Sequence, residues 1–203
     1  MDPKTRDAYN ARAAAFAAEY ESQAPQRLYD LALKFFRPAG LCLDVGCGSG
    51  RDLAWLASAG FKTLGIDASE RLLKQAAALH PGLEFREESL PDLETLQDSS
   101  VENVFCSGVL MHLPDDDILS SCSHLLRVLK DSGTLLLSFR ASRNPDDARE
   151  DDGRLYTPLE PVRLVLLFET LGAKVLHREE SLDSRGLRWQ TLVLRKGGVV
   201  TPQ

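Results

Sequence analysis

The chain has 203 residues and a formal net charge of −6 at pH 7, with 43% hydrophobic and 27% charged residues. That length supports one domain with a sizeable core, and the mix is that of a globular protein rather than a disordered or fibrous one. The acidic balance offers no basic stripe to a phosphate backbone, the start Met1-Asp-Pro-Lys-Thr-Arg6 lacks the apolar stretch of a secretory signal, and runs such as Leu164–Phe168 are too short to span a bilayer. The expectation is a cytoplasmic protein with neither a nucleic-acid nor a membrane partner.

Residues 5–22 are rich in alanine and carry Tyr9, Ala13, Phe16 and Tyr20 at helical spacing, which predicts one amphipathic helix. Pro25 opens a second, through about Phe36, and Pro38-Ala-Gly40 ends it. The pattern then alternates: strand 41–45, helix 51–59, strand 62–66, helix 69–79, strand 83–86, strand 101–106, helix 115–129, strand 133–139 and helix 158–171. Two last strands fall near 173–178 and 187–194, joined by so short a break at Asp183-Ser-Arg-Gly186 that they run antiparallel to each other. Apolar, non-alternating strands between helices predict an α/β fold: a Rossmann-like, doubly wound, mostly parallel sheet with helices on both faces. The whole chain reads as a single domain, with residues 1–38 a helical cap, 39–196 the α/β core and 197–203 a flexible tail. The segment 141–158, rich in acidic residues, follows a strand at the ligand-binding edge and is expected to act as a lid or substrate wall, the alternative being a plain solvated loop.

The chemistry concentrates in Leu41-Cys-Leu-Asp-Val-Gly-Cys-Gly-Ser-Gly50. A strand delivers Asp44, then a turn of three glycines (Gly46, Gly48, Gly50), then a helix N-terminus, the arrangement by which α/β folds cradle nucleotide-like ligands. A dinucleotide fingerprint needs a third glycine where this chain has Arg51. An acid ahead of the loop repels a pyrophosphate and suits a cationic amine, so the implied ligand joins an adenosine to a positively charged end. Asp67 ends the next strand, 19 residues after Gly48, close to the ~20 residues expected for a ribose-binding acid. Ser69 is placed to cap the following helix, which leaves Asp67 for the ribose.

These segments resemble the class I S-adenosylmethionine-dependent methyltransferases. Leu43-Asp-Val-Gly-Cys-Gly-Ser-Gly50 is similar to their first motif, and Thr63-Leu-Gly-Ile-Asp67-Ala-Ser-Glu70 to their ribose-binding second strand. Phe85-Arg-Glu-Glu88-Ser89-Leu90 is similar to the segment that holds adenine, although the family usually has Asp where this chain has Glu87 or Glu88. Phe105–Pro114 is similar to the strand-four motif beneath the cofactor. The resemblance covers about residues 5 to 196. It implies a seven-stranded sheet whose last strand runs backwards, S-adenosyl-L-methionine as cofactor, and contacts from Asp44, Gly46, Cys47, Gly48, Asp67, Ala68, Glu88, Ser89, Leu90, Ser107, Gly108 and Val109. It also lays the N-terminal helix over the methionine end, which makes Tyr9 and Tyr20 candidates to close the pocket; the competing reading is that they are core aromatics of the amphipathic helix.

His112 is the candidate catalytic residue, since an imidazole just past strand four can take a proton from an attacking hydroxyl or amine; the competing reading is a histidine that packs on the strand or caps the next turn. Arg140, Arg154, Tyr156, Arg188 and Trp189 are candidates for a wall favouring an anionic or aromatic acceptor, and each taken singly also reads as a surface or packing residue. Four cysteines show neither a C-x-x-C pair nor ligand spacing, so no metal is expected, and Cys42 and Cys106 read as small buried hydrophobes. The expected function is methyl transfer to a small molecule. The alternatives are a peptide or tRNA acceptor, or a non-catalytic module that binds the same cofactor; a nicotinamide oxidoreductase is disfavoured by Arg51.

Overall fold

The computed structural model describes residues 1–140, 149–183 and 185–198. Helices α1 (Pro3–Ala11), α2 (Ala13–Glu21) and α3 (Gln26–Phe35) lead into alternating β1 (Leu41–Val45), α4 (Arg51–Ser58), β2 (Lys62–Asp67), α5 (Glu70–Leu79) and β3 (Phe85–Glu87). β4 (Val101–Ser107), α6 (Ile118–Val128), β5 (Leu129–Arg140), α7 (Pro161–Thr170), β6 (Ala173–Leu182) and β7 (Arg188–Lys196) complete the chain. The strands form one seven-stranded sheet in the order β3-β2-β1-β4-β5-β7-β6. All neighbours pair in parallel except β7, which is antiparallel to both β5 and β6. The expected doubly wound sheet with its reversed last strand is therefore the architecture observed.

Each face of the sheet has its own core. Leu43, Val45, Ile66, Val104, Leu135 and Leu137 pack with α6 and α7 on one side. Cys42, Phe105, Leu136 and Val193 pack with α3 and α4 on the other. Burial on both faces is why the central strands show no polar alternation.

The single helix expected over residues 5–22 is two, broken at Arg12, whose backbone leaves the helical region at φ −121°, ψ 24°. Alanine favours helix throughout this run, so propensity cannot locate the break. Tertiary contacts do: the α1 N-cap Asp2 pairs with Arg149, and Thr5 Oγ1 accepts the Leu155 amide at 2.8 Å. The Arg149 guanidinium holds the Asp2 carboxyl well below its usual range. The helix expected from 115 starts at Ile118, after a 3₁₀ turn at Asp115–Asp117, and the one expected from 158 starts at Pro161, where the ring's fixed φ suits the first helical position.

Of the segment expected to form a lid or wall, residues 141–148 lie outside the described residues, as do 199–203 of the expected tail. Residues 149–155 fold back through an Arg149–Leu155 bridge against α1.

Candidate functional site

Alternation along the strands, read with their register, brings one face of the sheet to a common edge. Asp44 lies beside Gly65 and Phe105, Ser107 beside Ser138, Ser138 beside Thr191, and Arg140 beside Trp189. Partners in register share a face, and so do residues two apart. Asp67, Asp44, Ser107, Ser138 with Arg140, and Thr191 with Trp189 therefore form one polar band at the carboxyl ends of β2, β1, β4, β5 and β7. Ligands of open α/β sheets bind at this edge.

A cleft of about 1270 Å³ lies over the band. It exceeds the roughly 300–1,000 Å³ typical of a site for one small ligand. Tyr9, Phe16 and Tyr20 cover it from α1 and α2, with ring centroids 4.9 Å apart for Tyr9–Phe16 and 6.0 Å for Phe16–Tyr20. Gly46, Cys47, Gly48, Asp67, Ser107, Gly108, Val109 and His112 line it as well, so the structure brings together ten of the site residues expected from sequence.

The glycine loop is shaped by close approach. A Cβ on Gly46 would stand 2.3 Å from Val109 Cγ2, at a φ of +71°, and a Cβ on Gly48 would touch the Tyr20 ring at φ +56°. L side chains rarely adopt such angles. Asp67 Oδ2 accepts the Gly48 amide at 2.9 Å and Oδ1 the Ser69 amide at 2.8 Å, while Ser69 Oγ caps α5 by accepting from Leu72. Ser69 caps the helix as expected, but Asp67 is not free, because it ties the loop to β2. A carboxylate has about four lone-pair sites, so the two amides leave capacity for a pair of hydroxyls. Burial raises the Asp67 pKa, and the amides of Ser69, Gly48 and Ala68 oppose that rise.

Asp44 lies beneath this loop, 2% exposed, and its Oδ2 is a buried oxygen with no hydrogen-bond partner. Burial, reinforced by the negative charge of Asp52, pushes its pKa well above 3.8. Native proteins pair nearly all their buried polar atoms. An orphaned acid at the end of β1, beside a loop that admits a ligand to its backbone, suits a cationic group, and with Asp67 it gives the acceptors for a molecule carrying both an amine and a diol.

Five expected contacts lie off the lining of the cleft, Asp44 beneath the loop being the first of them. Glu88 is committed to its own turn, with Oε1 accepting the Ser89 amide at 3.1 Å and Oε2 the Thr95 amide at 2.9 Å. Leu90 is buried in the core, and its carbonyl accepts from the Met1 ammonium at 2.6 Å. Ala68 and Ser89 do not line the cleft either. An acid after a short third strand reads the same in sequence whether it meets a ligand or closes a turn.

His112 is placed at the cleft but does not present a free nitrogen to it. Nδ1 lies 2.7 Å from the Leu155 carbonyl, which can only accept, so the proton sits on Nδ1. Nε2 then accepts from the Tyr9 hydroxyl at 3.0 Å. Burial, the largest cause, holds the imidazole neutral by pulling its pKa down to about 4. Arg154 reinforces the same corner: it pairs with Asp152 at 3.0 Å and lies 5.4 Å from the Tyr9 ring centroid and 5.0 Å from that of Phe16. Of the expected acceptor wall, Arg140, Arg154, Tyr156 and Trp189 line the cleft; Arg188 is exposed and does not.

Sequence reasoning missed how the cap is fastened. Arg51 pairs with Asp52 at 2.8 Å and donates to the carbonyls of Tyr20 and Gln23 at 3.1 and 3.0 Å. Glu21 Oε1 accepts from Ser49 Oγ at 2.7 Å and meets His80 Nε2 at 3.1 Å. These residues are far apart in the chain, and no local pattern marks them. All four cysteines are buried free thiols, Cys47 at the cleft. Among the described residues no group of His, Cys, Asp or Glu has metal-ligand geometry, and no helix is long and apolar enough to cross a membrane.

A family model described as a methyltransferase domain matches residues 42–133, the stretch holding Asp44, the glycine loop, Asp67 and His112. The ubiquinone biosynthesis O-methyltransferase of Xanthomonas campestris pv. campestris is 36% identical over 120 residues, 56% of this chain and 48% of that protein. The chain thus spans about half the length of the curated relatives it matches. The crystal structure of the Burkholderia thailandensis 1,6-didemethyltoxoflavin-N1-methyltransferase, solved with 1,6-didemethyltoxoflavin and S-adenosylhomocysteine, shares the fold at a TM-score of 0.78 and 18% identity, over 96% of this chain and 88% of that one. The cyclase SpnF shares it at 0.66 and 18% identity, over 84% and 80%, so the fold alone leaves the reaction open. The matched segment is thus similar to a methyltransferase domain, and the sheet that carries it has the fold of the Burkholderia methyltransferase and of SpnF.

Proposed function

We propose that the chain binds S-adenosyl-L-methionine and transfers its methyl group to a small-molecule acceptor. The orphaned Oδ2 of Asp44 carries this reading. The cofactor's amine gives that buried acid its missing partner, and its ribose diol meets the spare lone pairs of Asp67. When bound, the cofactor supplies an electrophilic methyl group on a sulfonium.

The chain's own contribution is placement and exclusion of water. The Gly46–Ser49 turn sets the backbone against the cofactor, and Tyr9, Phe16 and Tyr20 close over it. The remaining volume lies over β4, β5 and β7, where the acceptor sits. The names of the relatives support a small acceptor and do not choose its atom, since one is an O-methyltransferase and another an N1-methyltransferase.

His112 takes part through Tyr9. Where the attacking atom of the acceptor carries a proton, that proton passes to the Tyr9 oxygen while the Tyr9 proton passes to His112 Nε2. The neutral imidazole is the accepting form, and it persists down to about pH 4. The same burial makes the imidazolium costly, so positioning supplies the larger share of the rate.

Titration calorimetry with S-adenosylmethionine, S-adenosylhomocysteine and NAD, each alone, tests the cofactor. Binding of the two adenosyl compounds and not NAD is expected; binding of NAD alone overturns the reading. Release of S-adenosylhomocysteine in the presence of a metabolite panel then separates an enzyme from a module that only binds.

A further inference from the structure

The polar band changes character along the sheet. It is acidic at β2 and β1 with Asp67 and Asp44, neutral at Ser107, Ser138 and Thr191, and basic where β5 ends at Arg140. Strands are spaced by about 4.8 Å with a rise of about 3.3 Å per residue, so Arg140 stands two strands across the sheet from Asp44 and four residues further along, about 16 Å away. A cofactor held by the two acids covers the β2–β1–β4 side and leaves Arg140 to whatever lies beside it.

Arg140 is 7% exposed, and its one ionic partner among the described residues is Glu150, at 3.4 and 3.5 Å from its two terminal nitrogens. A charge-assisted pair closes to about 2.7–2.9 Å, and a guanidinium has five N–H donors. Among the described residues, most of its donor capacity is therefore unused although the group is buried at the cleft. Its orientation is fixed from behind, where the guanidinium carbon lies 4.2 Å from the Tyr156 ring centroid and the backbone N–H donates to Met111 Sδ.

Across the ladder stands Trp189. Its indole N–H donates to Asp183 Oδ2 at 3.3 Å, and Asp183 is itself fastened by the amides of Arg185 and Leu187. The far edge of the indole comes within 3.7 Å of the Cβ position above Gly108, at the end of β4. A flat, anchored aromatic surface thus adjoins a buried cation with unused donors.

We propose that Arg140 and Trp189 form an acceptor subsite for an aromatic or heteroaromatic molecule bearing a carboxylate, the carboxylate on Arg140 and the ring against Trp189. This rests on the methyltransferase reading of the same cleft. The guanidinium takes the carboxylate in two parallel N–H···O bonds, with Ser107 of β4 toward the cofactor side.

The test uses the whole chain saturated with S-adenosylhomocysteine and titrates benzoate, benzamide and acetate by calorimetry. Benzoate is expected to bind about tenfold or more tightly than benzamide, the gain typical of a charged hydrogen-bonded pair, and also more tightly than acetate. R140M should abolish the preference for benzoate over benzamide and R140K should restore part of it, while S-adenosylhomocysteine affinity stays unchanged in both. W189A should weaken benzoate and benzamide alike. No benzoate binding, equal affinity for benzoate and benzamide, or a preference that survives in R140M overturns the subsite. Failure of S-adenosylhomocysteine to bind in the first step overturns the methyltransferase reading instead, so the two failures are told apart.

Discussion

The two halves of the cleft are built in different ways. The half over β1 and β2 comes from contiguous sequence: Asp44 and its three glycines lie within seven residues, and Asp67 follows 19 residues after Gly48 at the end of the adjacent strand. The half over β5 and β7 joins distant pieces. Tyr9 meets His112 across 103 positions, Leu155 donates to Thr5 across 150, and Arg140 lies beside Trp189 only because β7 runs antiparallel to β5. The first half is a turn that the chain forms locally on the strand preceding it. The second exists only once the sheet is complete and the cap has closed, so it can vary without disturbing the first.

This contrast can be broken from either side. The largest effect is expected at the glycine turn. G46A puts a methyl group 2.3 Å from Val109 Cγ2 and forces a positive φ; overpacking and backbone strain together cost about 2–4 kcal/mol. Chemical denaturation should show this loss, with cofactor binding abolished at the protein concentrations of a normal titration. V109A added to G46A should recover the overpacking part and not the strain. Full stability in G46A would mean that the turn is looser than its contacts indicate.

Asp67 comes next. D67A removes the acceptor of the Gly48 and Ser69 amides and should weaken S-adenosylmethionine about tenfold or more, about 1.4 kcal/mol or above, with the fold retained by circular dichroism. Unchanged affinity would place the diol elsewhere.

Asp44 provides a test by pH. With its folded pKa raised well above 3.8, the free protein binds more protons than the unfolded chain in the window above 3.8. Stability therefore falls as pH rises through the folded value, and the D44N protein should lack that slope. A cationic ligand stabilises the ionised form, so S-adenosylmethionine should release protons on binding, read as a dependence of the calorimetric heat on the buffer's ionisation enthalpy. D44N should remove that dependence, and a wild-type protein without it would argue against the amine at Asp44.

The smallest effects are expected in the assembled half. His112 titrates in the opposite sense, since its folded pKa is lowered from 6.5 to about 4. The unfolded chain then takes up the extra proton between those values, and stability is lost as pH falls through that window. Y9F removes the donor to His112 Nε2 and leaves a buried nitrogen unpaired, at a cost of about 1–2 kcal/mol. It should lower turnover while leaving the affinity for S-adenosylhomocysteine unchanged; a loss of that affinity would make Tyr9 a cofactor contact in the main.

The unequal legibility of the two halves has the same cause. Asp44, Gly46, Gly48 and Asp67 were readable because a strand, a tight turn and a cap impose residue types at fixed local offsets. That Glu88 accepts the Ser89 and Thr95 amides was not readable, because an acid that closes a turn looks the same in sequence as one that meets a ligand. His112 was located, while the hydroxyl that occupies its Nε2 was not, because Tyr9 comes from another element. Arg51 was read correctly as a missing glycine, but its grip on the Tyr20 and Gln23 carbonyls could not be seen.

By itself, then, the sequence determined the alternation of strands and helices, the parallel sheet, the glycine turn and the places of Asp44 and Asp67 at the ends of β1 and β2, because each follows from short-range periodicity, backbone conformation and spacing. Only the tertiary structure decided where the alanine-rich cap breaks, that Asp44 keeps an unpartnered oxygen, that His112 is neutral and engaged by Tyr9, and that Arg140 and Trp189 stand side by side. Those properties depend on burial and on strand register between distant segments, which exist only once the chain has folded.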